Sequence, residues 1–361
     1  MNDNVKGAAP PPPFACTFSQ TLPELLHQLN ISLAVSTYQA GKLVFISAAD
    51  KDQLIQLPRN FQRPMGLAVS GHKLAVATQH ETMILANAPG LAALYPQQKG
   101  VYDGFYVPRA TYYTGPVDMH EMAWGGDTLW AVNTAFSCLC TIDADFSFKP
   151  RWQPDFISEL VPEDRCHLNG LVLKDDKPKY VTALAQSDTK EGWRAEKNSG
   201  GILMDVENKK ILLTDLPMPH SPHFYDGRLL LLLSATGELV EVDLDQKTYT
   251  VLKQLDGFVR GMDQHGDYLF VGLSKLRKTS TAFGDMPIAK RSPVCGVVVI
   301  HMPSMSIVGH IHYAASVEEV FDVKVLPGQR RPGLLGTQRP DHKLALSLPE
   351  GSFWAVPEAK G

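Results

Sequence analysis

A pair of short apolar strands, split by a Gly- or Asp-containing turn, recurs five times between residues 64 and 274. It reads P-M-G-L-A-V-S-G-H-K-L-A-V-A-T at 64–78 and M-H-E-M-A-W-G-G-D-T-L-W-A-V-N-T at 119–134. It returns at 167–184, 221–234 and 259–274. With Gly66, Glu121, Gly170, His223 and Gly261 taken as equivalent, the units are 55, 49, 53 and 38 residues apart. Few folds accept such a repeat. Units of about 40–50 residues with about four strands each predict the blades of a β-propeller. Outer strands follow in several units, as in the hairpin Gly237–Leu244 and Thr248–Leu252.

A sixth unit has only one strand at the C-terminal end, Val320–Leu326, while three unassigned strands lie near the N-terminus at Ile31–Ser36, Lys42–Ser47 and Leu54–Leu57. Joining the two ends in one blade removes open sheet edges. The expectation is therefore an all-β, six-bladed propeller closed by N- and C-terminal strands. Seven blades remain open if residues 79–117 hide further strands. A Pro-rich stretch at 1–13 reads as a disordered tail, 14–361 as a single domain, and 329–361 as peripheral to it. One short helix is expected over 19–30, capped by Ser19 or Thr21, with Leu22, Leu25, Leu26 and Leu29 as its apolar stripe.

Long inserts fall at 86–117, 144–166, 185–200 and 275–294, a length that in compact domains is often functional. On one end of the ring they would form a lid over the channel.

Composition narrows the function. A net charge of −4, with Lys and Arg scattered, gives no footprint for nucleic acid or an anionic membrane surface. No apolar window reaches the roughly 18 residues that a spanning helix needs. Five cysteines without a metal-binding spacing read as reduced thiols, and with no signal-like N-terminus they predict a cytoplasmic protein.

Histidines recur at strand entrances: Asp118-Met119-His120-Glu121, then Cys166-His167-Leu168-Asn169, then His220 and His223 in M-P-H-S-P-H. In a propeller the first strand of each blade lines the channel, so residues far apart in sequence meet on one axis. Neutral imidazoles suit iron, zinc or copper, and three protein ligands leave positions open for catalysis. His120, His167 and His220 are therefore the expected ligands of a divalent transition metal. Glu121, Asp118 or Glu318/Glu319 would accept a ligand's second N–H and fix its tautomer, and Glu121 is expected to take part in the chemistry. Arg260 and Arg165 would grip an anionic substrate group, with His223 and Trp193 as further substrate contacts. The activity expected is that of a metal-dependent oxygenase or a hydrolase/lactonase. The alternative is a non-catalytic module for a small anionic ligand or a peptide, and a third is a scaffold whose histidines only satisfy backbone groups. No phosphate loop, dinucleotide fingerprint or G-x-S-x-G string is present.

The strings E-D-R-C-H-L-N-G, M-P-H-S-P-H and V-G-L-S-K-L-R, with H-E-M-A-W and P-R-W-Q-P, resemble a family of uncharacterised, conserved hypothetical bacterial propeller proteins over roughly residues 15–328. The resemblance implies a propeller-like fold and brings no activity. It also implies an arginine where this chain has His223.

Overall fold

The computed structural model describes residues 10–276, 284, 286–291 and 293–356. Most of the expected N-terminal tail and the centre of the 275–294 insert, including the arginine of V-G-L-S-K-L-R, lie outside the described residues.

Each repeat folds into a four-stranded antiparallel meander because its strands alternate with turns that L-residues can make only at particular sites. In the fifth blade, Asp226 and Gly227 both have positive φ (47° and 77°), as a tight hairpin between right-twisted strands requires. The blade runs outward as Pro219–Tyr225, Arg228–Leu233, Glu238–Asp243 and Thr248–Gln254. The third starts at Met119–Gly125, the fourth at Leu168–Lys174 and the sixth at Phe258–His265. The sixth gains a fifth strand at its rim, Cys16–Phe18.

The closing blade is composite. Asp322–Pro327 is its inner strand, and Ile31–Thr37, Lys42–Ala48 and Leu54–Asn60 complete it outward. Six blades result. The seventh has no place, because 79–117 contains the outer strands of the second blade, Glu81–Asn87 and Gly104–Tyr113, with a short helix Pro89–Leu94 between them. The chain after the ring returns to this blade: Pro332–Leu334 pairs in parallel with Gly104–Tyr113, and Trp354 packs against Tyr95 and Phe105.

The N-terminal helix spans Thr21–Leu29. Leu22 and Leu26 sit in one apolar cluster with Val35 and Ile46 of the closing blade and Val297 and Ile311 of the sixth. Each such buried aliphatic side chain contributes at most about 1.5–3 kcal/mol. Neither expected cap is used. Thr21 donates to Val308 O, Ser19 Oγ accepts from the His310 N–H, and no side chain caps the helix. The hydroxyls tie the helix to the sixth blade instead.

Inner strands approach closely enough to dictate glycine. A Cβ on Gly66 would lie 2.9 Å from the His120 carbonyl oxygen, and one on Gly261 (φ 72°) 2.6 Å from the Asp322 Cα. Blade-to-blade latches hold this ring. Ser36 donates to Met65 O, Thr134 to Leu168 O and Ser234 to Val259 O, each at 2.6 Å, and Ser274 donates to Val320 O at 3.1 Å. All five cysteines are free thiols. No helix among the described residues is long and apolar enough to cross a membrane.

Candidate functional site at the channel mouth

At one end of the channel lies a cavity of about 690 Å³ with residues from all six blades in its wall. Met65, His120, His167, His220, Arg260 and Phe321 represent one blade each. The insert at 185–200 supplies Trp193, and the segment leading into the fourth blade supplies Asp164.

The three expected histidines do meet here, though not at equivalent positions. His120 and His220 stand two residues after left-handed Asp118 and Met218, while His167 is itself left-handed (φ 52°). In the fourth blade the counterpart of His120 is Asn169. The fifth blade's reference residue is likewise Ser221 rather than His223: it stands three residues after left-handed Met218, as Glu121 does after Asp118, and its hydroxyl accepts the Gly261 N–H as Glu121 accepts that of Leu171.

His120 and His220 share one local construction. His120 Nδ1 lies 3.1 Å from Asp118 O and 2.8 Å from Thr134 Oγ1. His220 Nδ1 lies 3.1 Å from Met218 O and 2.9 Å from Ser234 Oγ. A carbonyl only accepts, and each hydroxyl has already given its proton to the next blade. Nδ1 is therefore the protonated nitrogen on both rings, and Nε2 keeps its lone pair with no partner among the described residues. Burial and the neighbouring Arg260 guanidinium hold both imidazoles well below the ordinary histidine range, so both stay neutral.

His167 reaches the same tautomer by another route. Its Nδ1 faces both oxygens of Asp164, at 3.0 and 2.9 Å. Asp164 also accepts from Trp193 Nε1 at 2.9 Å. The Trp193 ring packs on His167 with centroids 4.3 Å apart, and His120 meets His167 edge to face at 4.8 Å. Arg260 stacks its guanidinium 3.4 Å above the Phe321 ring, with Glu319 Oε1 3.9 Å away. Asp118, also on the wall, has its carboxyl raised by burial and then by the charge of Asp164.

Three expected site residues belong elsewhere. Glu121 is not in the cavity wall; its Oε2 accepts the Leu171 N–H at 2.9 Å, stapling the third blade to the fourth. Asp322 does the same for Leu67, and Asp263 for Val325. Side chains alternate along a strand, so when His120 faces the mouth, Glu121 must face the neighbouring blade. Burial pushes the Glu121 carboxyl up to about 8. Arg165 also leaves the wall. It donates to Glu163 at 2.9 Å, Asp188 at 2.8 Å and Ser158 at 3.1 Å, knotting two inserts together. His223 lies deeper, in the electrostatic reach of Asp263 and Lys324, where burial lowers its basicity.

Among the described residues no three His, Cys, Asp or Glu side chains are placed to hold a metal ion. His120, His167 and His220 share a wall without forming a ready ligand set. Sequence reasoning misses Thr134, and reads Ser234 only as a turn or ladder residue and Asp164 only as an ion-pair partner of Arg165. A signal for the first two was present: each hydroxyl follows its histidine by 14 residues.

The family described as Domain of unknown function (DUF4915) matches over residues 20–335. No curated protein matches the chain. Among solved structures, one from a nidogen/laminin complex aligns with a TM-score of 0.51 at 11% identity, covering 83% of this chain and 99% of that one. A protein of unknown function from Bacteroides caccae gives 0.48 at 9%, covering 82% and 98%. A candidate 6-phosphogluconolactonase from Bacteroides fragilis NCTC 9343 gives 0.46 at 13%, also covering 82% and 98%. Such likeness speaks to fold alone, and only the first is close enough to bear even on that.

Proposed function

The chain belongs to the DUF4915 family, and from that premise we propose that its propeller binds a small hydroxylated molecule at the channel mouth. The observation that carries this reading is the fixed tautomer of His120 and His220. Two neutral Nε2 atoms, each with an unused lone pair, line one cavity beside a guanidinium. Such nitrogens accept hydrogen bonds from hydroxyl donors, while Arg260 offers charge-assisted donors to a carboxylate or carbonyl oxygen. A volume of about 690 Å³ suits a small molecule. The flat faces of Trp193, Phe258 and Phe321 supply the apolar part of the wall.

Titration with D-gluconate, which carries both hydroxyls and a carboxylate, tests this reading by calorimetry. Binding that His220→Phe abolishes without lowering thermal stability supports it. Failure of gluconate and of related hydroxy acids and polyols to bind the native chain removes it.

A metal-dependent version requires His120, His167 and His220 to draw closer together. What favours it is that all three Nδ1 atoms are held by second partners, as metal-ligating histidines are. Elemental analysis of untagged protein tests it. One metal per chain, lost in His220→Ala, would replace the hydroxyl-acceptor reading.

A further inference from the structure

We infer that Asp164 and His167 form a general-base dyad and that the mouth of the channel hydrolyses carboxylic esters, with water as the nucleophile. The inference rests on the small-molecule reading of the cavity and adds a reaction to it. Its basis is separate from the tautomers of His120 and His220.

The dyad is built by the backbone. Asp164 and His167 both take left-handed conformations, at φ 48° and 52°, which fold the four-residue segment so that the carboxylate meets Nδ1 from three residues away. The segment is pinned at each side, by Asp164 N–H to Ala135 O at 2.9 Å and Cys166 N–H to Ser137 Oγ at 3.4 Å. Trp193 fixes the carboxylate with its indole N–H and covers the imidazole with its ring. A carboxylate held on Nδ1–H orients the ring and stabilises the imidazolium that forms when Nε2 takes a proton. Of the histidines in the wall, His167 alone has this support. His120 and His220 are backed by a carbonyl and a hydroxyl, which stabilise a positive ring less.

The cavity also limits the nucleophile. The described wall holds no cysteine, and its serine, Ser274, donates to Val320 O and accepts the Val320 N–H. Water, which His167 Nε2 can deprotonate, is therefore taken as the nucleophile. His167 Nε2 removes a proton from water as its oxygen bonds to the ester carbonyl carbon, and the carbonyl π pair moves onto oxygen. Of the cations on the same wall, Arg260 is the one assigned to this oxyanion. The intermediate reforms C=O, the C–O bond to the alcohol breaks, and the leaving oxygen takes the proton back from His167. Ester and water give acid and alcohol, with nothing else consumed. His167 is the catalytic residue; Asp164 is a positioning residue.

The probe is p-nitrophenyl acetate, followed by release of p-nitrophenolate from the full-length protein. His167→Ala should lose about a hundredfold in rate and regain a substantial part when imidazole is added, while Asp164→Asn should lose at least about tenfold. Rescue by imidazole, beyond the hydrolysis that the same imidazole gives without protein or with native protein, is a response that a purely structural histidine would not give. Native and His167→Ala proteins of equal rate would overturn the dyad, as would a loss that imidazole does not restore in a folded variant. Should Asp164→Asn fail to fold, the His167→Ala and imidazole arm decides alone. The gluconate titration keeps the two readings apart. A chain that binds gluconate and leaves the ester intact loses only the dyad; one that hydrolyses the ester and ignores gluconate keeps the dyad and loses the hydroxylated ligand.

Discussion

His120 Nδ1 and Thr134 Oγ1 lie 2.8 Å apart, and the proton of that hydroxyl is committed to the Leu168 carbonyl at 2.6 Å. One oxygen therefore latches the third blade to the fourth and sets the tautomer of a ring at the channel mouth. Ser234 repeats the arrangement between His220 and Val259. Ring closure and the chemistry of the mouth are coupled through these two hydroxyls.

Thr134→Val keeps the shape and removes the oxygen. The Leu168 carbonyl and His120 Nδ1 each lose a partner, at a cost of about 1–3 kcal/mol for a buried polar group left unsatisfied. Urea denaturation should show that loss, and ligand affinity should fall with it as His120, left with the Asp118 carbonyl alone, is held less firmly. A variant as stable as the native chain would separate latch from tautomer.

Acid should weaken the fold through His120 and His220. Both are held well below the ordinary histidine value of about 6.5, so below that pH the unfolded chain binds protons that the folded chain refuses. Stability then rises with pH up to about 6.5, and falls on acidification by as much as about 1.4 kcal/mol per pH unit for each ring. His220→Phe should make the acid limb of a stability–pH curve shallower; an unchanged limb would contradict it.

Glu121 works in the opposite direction. With its carboxyl pushed up to about 8 from 4.5, the folded chain holds an extra proton between those values, so stability is lost as pH rises through that window. Glu121→Gln keeps an acceptor for the Leu171 N–H and has nothing to ionise. Thermal melts from about pH 5 to about pH 8 should be flatter for this variant, by on the order of 1 kcal/mol per pH unit.

Asp322→Ala should be among the most damaging single changes. Its carboxylate accepts the Leu67 and Val323 N–H groups at 2.9 and 2.8 Å and faces Lys324 Nζ at 3.3 Å. Removing it takes the nearest counter-charge from a nearly buried ammonium, leaving only Glu121 and Asp263 in reach, and unlatches the closing blade from the second, a loss of about 3–5 kcal/mol. Arg165→Met, which only unties two partly exposed inserts, should cost less. Chemical denaturation of the two variants side by side checks the order.

The ring was legible because its signals are local. Alternating apolar strands, turn residues and glycines recur at each blade, and the unpaired strands at the two ends have only each other to pair with. His120 and His220 were legible for the same reason. The alignment of His167 was not, since left-handed backbone at residues 164 and 167 leaves no mark in an apolar pattern. The offset at His223 follows from left-handed Met218, which sets where the inner strand begins and likewise leaves no mark in an apolar pattern. Arg165 looked available to a ligand because one of its carboxylate partners, Asp188, lies 23 residues downstream on a separate insert. Glu121 was misassigned by adjacency: one residue along a strand reverses the direction of a side chain.

The most direct test of the central claim is nitrogen-15 NMR of histidine-labelled protein, with His120 and His220 assigned by substitution. The account predicts that both rings are neutral at pH 7, protonated on Nδ1 and bare on Nε2, and that both remain so well into the acid range. A proton on Nε2 of either ring, or a cationic imidazolium near neutrality, would contradict it.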